Sequence, residues 1–288
     1  MTLGTTDVTT VAQFVTQRLS HTSARTFRIS DPDRMNLQCR IDLASKYKSG
    51  SQIARVLSED WCTRELCCPA CSSDRLTGSK PNNPAVDFAC ANCNQPFQLK
   101  SLRHWNPKKI VDAGYEAMLR AIRTDRTPNL LVLHYSSAWQ VQNLLLIPRM
   151  FFSESVIEKR KPLGSHARRA GWVGCNILLS EIPDDGKIAM VSASVPVMKK
   201  HVRDEFSRVK RLAELPPSLR GWTLDVLRVV RQLGRPEFTS QDMYAFEREL
   251  KALHPKNQNV RPKIRQQLQV LRDLGLLRFG AKGNYYLA

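Results

Sequence analysis

Two Cys-x-x-Cys pairs constrain the fold of this chain more than any other feature of its sequence. The pairs are separated by 18 residues, a spacing typical of sites in which four thiolates bind one zinc ion. The four cysteines are Cys68, Cys71, Cys90 and Cys93. The second pair stands between Asp87 and residues 97–100. We expect Asp87 to end one strand, residues 97–100 to form the next, and a zinc ion to pin the turn between them.

The second of these strands brings three polar groups into one place. Side chains alternate between the two faces of a strand, so Gln98 and Lys100 share one face, while Phe97 and Leu99 point toward the core. Asp87 on the neighbouring strand is expected to meet them. Carboxylate and amide oxygens can hold a hard cation beside a phosphate, and an ammonium can orient or help deprotonate a water molecule. The layout is that of a metal-dependent nuclease.

The predicted cleavage site therefore has named members. We assign Asp87, Gln98 and Leu99 as ligands of a catalytic Mg²⁺ or Mn²⁺, and Lys100 as the residue that assists the attacking water. A pattern of this kind is degenerate when taken alone, and its place around a zinc hairpin gives it weight. Glu59, at the end of a helical pattern over residues 43–64, is a secondary candidate for the metal site. The alternative for Glu59 is a solvated helix acid.

Composition narrows the partner and the compartment. A formal charge of +18 and an ordinary hydrophobic content of 42% indicate a globular protein with a polyanionic partner. Nucleic acid, the ribosome and acidic membrane surfaces satisfy that charge equally. The sequence has no apolar run of transmembrane length and no secretion signal, so we expect a protein of the bacterial cytoplasm without a membrane partner.

The remaining cysteines are expected to be small buried hydrophobes rather than disulfide partners, because a reducing compartment favours free thiols. They are Cys39, Cys62, Cys67 and Cys175. Cys67 is an alternative zinc ligand to its neighbour Cys68, but the Cys-x-x-Cys register favours Cys68.

The order of elements after the hairpin is that of an α/β nuclease core. Pro107 opens a predicted helix with Ile110, Met118, Leu119 and Ile122 at helical spacing, and apolar runs at residues 130–135 and 141–147 predict buried strands. Further strands are predicted at residues 177–179 and 188–191, followed by a basic helix over 197–215 and a linker at Pro216 and Pro217.

A basic loop interrupts this core at residues 159–176. It combines cations, glycines and one tryptophan, which suits phosphate and base contacts better than a merely solvated charge run. Arg168, Arg169 and Trp172 are the predicted DNA-binding residues of the loop. His166 is expected at the surface or beside a phosphate rather than on a metal.

The C-terminal stretch predicts three helices and a β-wing. The helices are expected over residues 222–233, from the capping pair Thr239 and Asp242 through Leu253, and over 259–274, closed by Gly275. Two strands at residues 276–279 and 285–287 complete a winged helix, whose third helix enters the major groove. The predicted outward face of that helix is Arg261, Lys263, Arg265, Gln266, Gln267 and Gln269. We expect the first four to contact DNA; the alternative is a winged helix used only for protein contacts.

Together these stretches resemble the Dpn-type methyl-directed restriction endonucleases, also called Dam-replacing proteins, from Met35 to the C-terminus. The motifs that carry the resemblance are Ser58-Glu-Asp-Trp61, the paired Cys-x-x-Cys segments, Pro84-Ala-Val-Asp87 with Leu99-Lys100, Arg160-Lys-Pro-Leu163, Ala167-Arg-Arg-Ala-Gly-Trp172, Arg220-Gly-Trp-Thr223 and Lys263-Ile-Arg-Gln-Gln-Leu268. The resemblance implies cleavage of duplex GATC when the adenine carries an N6-methyl group, with both domains reading that sequence. Burial of one methyl against Trp172 would contribute on the order of 1 kcal/mol.

The expected architecture has three parts. Residues 1–34 form an extension without an assigned function. Residues 35–217 form an α/β domain of the PD-(D/E)xK restriction-endonuclease type with a four-cysteine zinc site, and residues 218–288 form a C-terminal winged-helix domain. The expected partner is adenine-methylated double-stranded DNA, with no obligate protein partner.

One departure from the family keeps a second function open. The site has Gln98 where a glutamate is expected from the resemblance, so it lacks one negative charge. The alternative function is a zinc-containing reader or regulator of methylated DNA that does not cleave it. An RNA-binding translation factor built on a zinc ribbon is disfavoured, because it leaves the arrangement of Asp87, Gln98 and Lys100 unexplained.

Overall fold

The computed structural model describes residues 35–79, 85–280 and 283–288. The predicted extension over 1–34 and Pro84 of the Pro-Ala-Val-Asp motif lie outside these residues. Contacts divide the chain into two compact units, each assembled from separate stretches. The first unit contains the described residues up to Pro107 together with Asn129–Leu146 and Ile188–Arg203. The second contains Lys108–Pro128, Ile147–Lys187 and Asp204–Ala288.

Helices and strands are numbered in chain order. The α-helices are α1 Gly50–Glu65, α2 Tyr115–Arg123, α3 Lys199–Val209, α4 Pro217–Gln232, α5 Ser240–Tyr244, α6 Glu247–Leu253 and α7 Val260–Asp273. The strands are β1 Thr77–Gly78, β2 Phe88–Ala89, β3 Pro96–Leu102, β4 Lys109–Gly114, β5 Asn129–Tyr135, β6 Val141–Ile147, β7 Ile157–Lys159, β8 Gly174–Leu178, β9 Ile188–Ser192, β10 Val195–Pro196, β11 Glu237–Thr239, β12 Leu277–Phe279 and β13 Asn284–Leu287. Short 3-10 helices occupy Ile41–Ala44, Arg149–Phe151, Glu154–Val156, Leu179–Glu181, Asp184–Gly186 and Lys210–Glu214.

A mixed seven-stranded sheet forms the centre of the first unit, in the order β1-β2-β3-β5-β6-β9-β10. β3 and β5 run parallel, with Phe97 opposite Asn129, and β2 pairs with β3 as an antiparallel hairpin. β5 is buried along nearly all its length because its apolar run NLLVLHY has neighbours on both faces. Helix α1 contacts β3, where Ser101 Oγ donates to Ser58 Oγ at 2.7 Å. The predicted α/β class and the strands near 130–135 and 141–147 are confirmed.

The segment after Pro107 corrects the predicted helix. Residues 109–114 form β4, and the helix begins only at Tyr115. Ile110 therefore lies in a strand, whereas Met118, Leu119 and Ile122 lie on the buried side of α2 as predicted. The error has a physical cause: Ile110 and Asp112 alternate with exposed neighbours at a period of two, and β4 pairs with β8. A single apolar residue at the start of the segment could not distinguish the two periods.

The C-terminal part of the second unit is a helix-turn-helix with a wing. α4, α5–α6 and α7 are followed by the wing strands in the order β11-β13-β12. The Thr239 and Asp242 capping box is present, and Gly275 closes α7 with a positive φ of 78°. The predicted second helix is divided at Ala245 and Phe246 into α5 and α6.

Buried ion pairs anchor α4 within the second unit. The Arg220 guanidinium, 2% exposed, lies 2.5 Å from Asp125 Oδ1, and Arg149 lies 3.0 Å from Asp125 Oδ2. Arg231 likewise pairs with the buried Asp185 at 2.5 Å. Among the described helices, none is both long and apolar enough to cross a membrane.

Candidate functional site

The four predicted zinc ligands lie together at the tip of the β2–β3 hairpin. Their sulfur atoms are all within 4.8 Å of one another, with Cys68 and Cys93 at 3.6 Å and Cys71 and Cys90 also at 3.6 Å. Four thiolates at about 2.3 Å from one zinc ion would be separated by roughly 3.8 Å in a tetrahedron. The observed spacing fits that geometry, and Cys67 does not belong to the cluster. The cluster is therefore suited to a structural zinc ion.

Main-chain N–H groups surround the cluster and favour thiolates. Ala70 N donates to Cys68 Sγ and Ser73 N donates to Cys71 Sγ. Burial raises the pKa of Cys90, but N–H donors from Cys93 and Asn92 and the neighbouring thiols outweigh burial and bring that pKa to about 6. Burial raises the pKa of Cys68. A mixture of shifted thiols this close together is expected where a metal ion supplies the missing positive charge.

The zinc hairpin fixes Asp87 against the backbone of β3. Asp87 N donates to Phe97 O at 2.9 Å, and its Oδ2 accepts from Leu99 N at 2.7 Å. Asp87 thus lies against the main chain on either side of Gln98. We predicted that Asp87 ends a strand, but it comes just before β2, whose pairing with β3 begins at Phe88. Asp87 O also accepts a hydrogen bond from Ser79 N.

Gln98 and Lys100 occupy alternate positions of β3 and are both half-buried. Phe97, on the opposite face, is fully buried, as predicted. Leu99 was also predicted to be in the core, but it is only half-buried. The Leu99 N–H points to Asp87, so its carbonyl points to the same edge of the strand. Leu99 can offer a metal only that main-chain oxygen. The strand β3 thus carries the Gln98 amide, the Leu99 carbonyl oxygen and the Lys100 amine, and the Asp87 carboxylate is hydrogen-bonded to its backbone.

Glu59 lies on α1 and is engaged by an arginine. Arg55 Nε donates to Glu59 Oε1 at 2.7 Å. The pKa of Arg55 is raised, first by the Glu59 hydrogen bond and also by the charge of Asp87. Arg55 is therefore within electrostatic reach of both acids. Its pair with Glu59 has the i,i+4 spacing of a helix, whereas its approach to Asp87 is not visible in the sequence. The Arg55 guanidinium offsets part of the negative charge that Glu59 could contribute to a metal site.

The basic loop is shorter than the predicted 159–176, because Lys159 ends β7 and residues 174–176 belong to β8. It carries Trp172 near the end of β4. The Arg169 guanidinium lies 4.9 Å from the centre of the Trp172 ring, and Arg168 and Arg169 are exposed. His166 is exposed too. Tyr115 N donates to Val173 O, which ties the end of the loop to the start of α2. The loop thus presents cations to solvent beside a half-buried aromatic ring.

The exposed face of α7 carries the other predicted DNA contacts. Arg261 Nε pairs with Glu247 at 2.7 Å, and Arg265 Nη1 donates to the hydroxyl of Tyr244 at 2.7 Å. Lys263 Nζ donates to Gln266 Oε1 at 2.8 Å. Tyr244, on a different helix, had no sequence signal that would have linked it to α7. An open groove beside the start of α7 adds further polar groups from Lys256, Asn257 and Asn259.

Gln267 does not belong to this face, contrary to prediction. It is fully buried and accepts a 2.7 Å hydrogen bond from Thr223 Oγ1. Its position three residues after the buried Ile264 places it on the inward stripe of the helix. The prediction followed polarity, whereas the helical period decides the face.

Comparison with known families accounts for nearly all the described chain. The Dam-replacing family matches residues 35–215, and the Dam-replacing HTH domain matches residues 218–286. The chain belongs to the Dam-replacing family. Membership implies a methylation-dependent restriction endonuclease. The match to the Dam-replacing HTH domain also implies DNA binding through the C-terminal helices.

Two groups of residues in this structure have side chains of the kinds that a DNA endonuclease uses. The hairpin with Asp87 and Lys100 carries groups suited to hydrolysis, and the basic loop and α7 carry groups suited to DNA. Two contacts of these predicted residues, Arg55 with Glu59 and Tyr244 with Arg265, were not part of the prediction.

Proposed function

We propose that this protein cleaves double-stranded DNA at GATC sites whose adenine carries an N6-methyl group, by metal-dependent hydrolysis of a phosphodiester. We further propose a PD-(D/E)xK nuclease domain over residues 35–217 and a winged-helix domain over 218–288, in a protein of the bacterial cytoplasm. Double-stranded DNA methylated at adenine is the proposed partner, and no obligate protein partner is needed.

The single observation that carries this proposal is the contact between Asp87 and Leu99. A 2.7 Å hydrogen bond from the Leu99 amide holds the Asp87 carboxylate at the strand that bears Gln98 and Lys100. A lone acid on a surface loop would have no such support. The contact favours a cleavage site over a chance pattern of residue types.

The donor set suits a hard cation. Asp87, the Gln98 amide oxygen and the Leu99 carbonyl oxygen are the oxygen ligands that Mg²⁺ or Mn²⁺ prefers, and none is a thiolate or an imidazole. When bound there, such an ion would polarise the phosphate and lower the pKa of a bound water.

The side chains of the site have separate tasks in this mechanism. Asp87 supplies the negative charge of the ligand set, and its hydrogen bond to Leu99 fixes the carboxylate before DNA arrives. Lys100 lies on the same face of β3 as Gln98. As an ammonium it would orient the attacking water beside the phosphate, and as the neutral amine it would accept the proton of that water. Glu59 is an accessory acid, and Arg55 offsets part of its charge.

We assign recognition of the methyl group to Trp172 and to α7, the third helix of the proposed winged-helix domain. An N6-methyl group adds apolar surface in the major groove, which the half-buried Trp172 ring can cover. Arg168 and Arg169 are placed to contact phosphates, and Arg261, Lys263, Arg265 and Gln266 to contact phosphates or base edges. Two readers that each test the methyl would multiply a modest preference.

One observation favours a second candidate function. Gln98 gives the ligand set one charge less than a second carboxylate would. A protein with an inactive site of this kind would bind methylated DNA without cutting it and act as a reader or regulator.

Incubation of purified protein with plasmid DNA separates the two functions. Adenine-methylated and unmethylated plasmids are incubated with Mg²⁺ and, separately, with Mn²⁺. The proposal expects cutting of the methylated plasmid in at least one metal. Binding of methylated DNA without any nicking in either metal would establish the reader instead.

A further inference from the structure

The Trp172 ring lies against two glycines, Gly114 and Gly174, which together we call the seat of the ring. Gly114 is the last residue of β4 and Gly174 is the first residue of β8, and the two are directly opposite each other across the antiparallel pair. Neither has a side chain, so the two backbones leave a flat space on the sheet. The indole of Trp172 occupies that space.

The contacts of the ring with the two glycines differ. A Cβ atom at Gly174 would lie 2.9 Å from Cζ3 and 2.9 Å from Cη2 of Trp172. That distance is shorter than Cβ contacts in proteins, so any side chain at residue 174 would displace the ring. A Cβ atom at Gly114 would lie 3.5 Å from Nε1, which is ordinary van der Waals contact. Gly174 therefore sets how closely the ring approaches the sheet.

The backbone around the ring cannot easily move to relieve such a clash. Trp172 O accepts from Leu163 N at 2.9 Å, and Gly174 O accepts from Arg160 N at 3.0 Å. Gly171 N also donates to Leu163 O at 2.9 Å. These hydrogen bonds hold the backbone of both Trp172 and Gly174 in place. A displaced ring would have to rotate away from the sheet, toward the side where the Arg169 guanidinium lies within 4.9 Å.

We infer that Gly174 is a specificity-determining residue: within the seat that it forms with Gly114, it sets the depth of the Trp172 ring and thereby the preference for methylated adenine. The inference rests on the proposed role of Trp172 in covering the methyl group. Gly174 is a positioning residue that acts through Trp172, because contact of a ring with a methyl group decays within a fraction of an ångström.

The test uses Gly174→Ala in the full-length protein with two matched controls. Gly114→Ala adds a methyl to the same seat without a clash, and Gly164→Ala adds one to the same loop, with nothing within 4 Å. Binding to GATC duplexes with and without N6-methyladenine is measured without added Mg²⁺ or Mn²⁺ and without a chelator. We expect Gly174→Ala to lower the ratio of the two affinities by about fourfold, the factor that one buried methyl provides. Both controls should keep the wild-type ratio.

A second measurement reports ring position without DNA. The chain contains five tryptophans, so 5-fluorotryptophan labelling yields a small set of ¹⁹F resonances, and Trp172→Phe assigns the one of interest. Gly174→Ala should shift the Trp172 resonance and leave the other four unmoved, which also shows that the variant is folded. In a Trp172→Ala background, Gly174→Ala should no longer alter the affinity ratio.

The outcomes distinguish the seat from the function on which it rests. If the wild type itself does not prefer methylated duplex, the proposed function fails. If the wild type prefers it and Gly174→Ala keeps the same ratio, or if the Trp172 resonance does not move, the seat is refuted. An equal loss of the ratio in Gly164→Ala would also refute the seat.

Discussion

Gln98 is the residue at which the proposed cleavage site differs from the glutamate that the resemblance led us to expect. An amide oxygen can coordinate a divalent cation, but it supplies no charge. Among the proposed metal ligands Asp87, Gln98 and Leu99, Asp87 alone is then charged. The cost of this exchange should therefore appear as a higher metal requirement and not as a loss of fold.

Replacement Gln98→Glu tests that cost. The added carboxylate should lower the Mg²⁺ concentration that gives half-maximal cleavage by about tenfold, because affinity of such sites follows the charge of the ligands. A magnesium titration of cleavage rate on methylated plasmid measures it. Gln98→Leu, which removes the oxygen but keeps a similar volume, should abolish cleavage and leave DNA binding intact. An unchanged magnesium requirement in Gln98→Glu would show that residue 98 does not contact the metal.

At the scale of elements, the β2–β3 hairpin connects the four-cysteine cluster to the proposed cleavage site. The cluster closes the tip of the hairpin, and Asp87 lies at its base against Phe97 and Leu99. Loss of the ion should therefore loosen a site to which zinc itself is not bound.

The zinc prediction can be checked on the purified protein. We expect about one zinc ion per chain by elemental analysis, as for four-thiolate sites in general. Cys93→Ser should lose the ion, lower the thermal midpoint and reduce cleavage even when magnesium is saturating. Cys67→Ser is the matched control, since Cys67 is buried beside the cluster but outside it. Retention of zinc by Cys93→Ser, or its loss from Cys67→Ser, would contradict the assigned ligand set.

Helix α4 depends on the ion pairs around Asp125. Burial raises the pKa of Asp125, but Arg220 and then Arg149 outweigh burial and hold that pKa below its ordinary value. A lowered pKa in the folded state means that the ionised carboxylate stabilises the fold above the unfolded-state pKa of about 3.9. This contribution is lost as the pH falls through the lower, folded-state pKa.

Asp125→Asn should therefore reduce the free energy of unfolding at pH 7 by about 2–3 kcal/mol, because the buried Arg220 loses its partner. The difference from wild type should shrink as the pH falls below about 4, where the unfolded-state carboxylate takes up a proton, and should be lost below the lower, folded-state pKa. Urea unfolding followed by circular dichroism at pH 7 and pH 3 measures both. Asp273→Asn removes an exposed pair with Arg272 and should cost less than about 0.5 kcal/mol. A pH-independent difference for Asp125→Asn would mean that charge is not the cause.

Elements with a strong local signal could be predicted from the sequence. The capping box at Thr239, the closing Gly275 and the apolar run of β5 each determine their element through near neighbours. The Cys-x-x-Cys spacing likewise identified a cluster that the fold brings together. For these features local chemistry and tertiary structure agree.

Features decided by distant partners could not be predicted. β4 is a strand because β8 lies beside it, and a helical pattern in the sequence gave no hint of that neighbour. Gln267 is buried because Thr223, 44 residues earlier, donates a hydrogen bond to it in the core. Likewise, the sequence did not indicate that Arg55 lies within electrostatic reach of Asp87 or that Tyr244 accepts a hydrogen bond from Arg265.

At the scale of the whole molecule, the charge of +18 implies that phosphate contacts dominate DNA affinity. The logarithm of the binding constant should fall linearly with the logarithm of salt concentration. Replacement of both Arg168 and Arg169 by alanine should reduce that slope by about 2, since each phosphate contact contributes about 0.9. Fluorescence anisotropy over a range of salt concentrations measures the slope. Arg123→Ala, which removes an exposed arginine already paired with Glu154, should leave the slope unchanged; an equal change in both variants would assign the effect to net charge alone.

Cleavage and binding measured on one short duplex test the central claim most directly. The duplex carries a single GATC site, either methylated at N6 of both adenines or unmethylated, and each is incubated with wild type, Asp87→Asn and Lys100→Ala in Mg²⁺ and in Mn²⁺. We predict that wild type cuts only the methylated duplex, that both variants lose at least about 100-fold in rate, and that both still bind it. Exposed Lys46→Ala should behave as wild type. Undiminished cutting by Asp87→Asn and Lys100→Ala would contradict the account. So would wild type that binds the methylated duplex but leaves it intact in both Mg²⁺ and Mn²⁺.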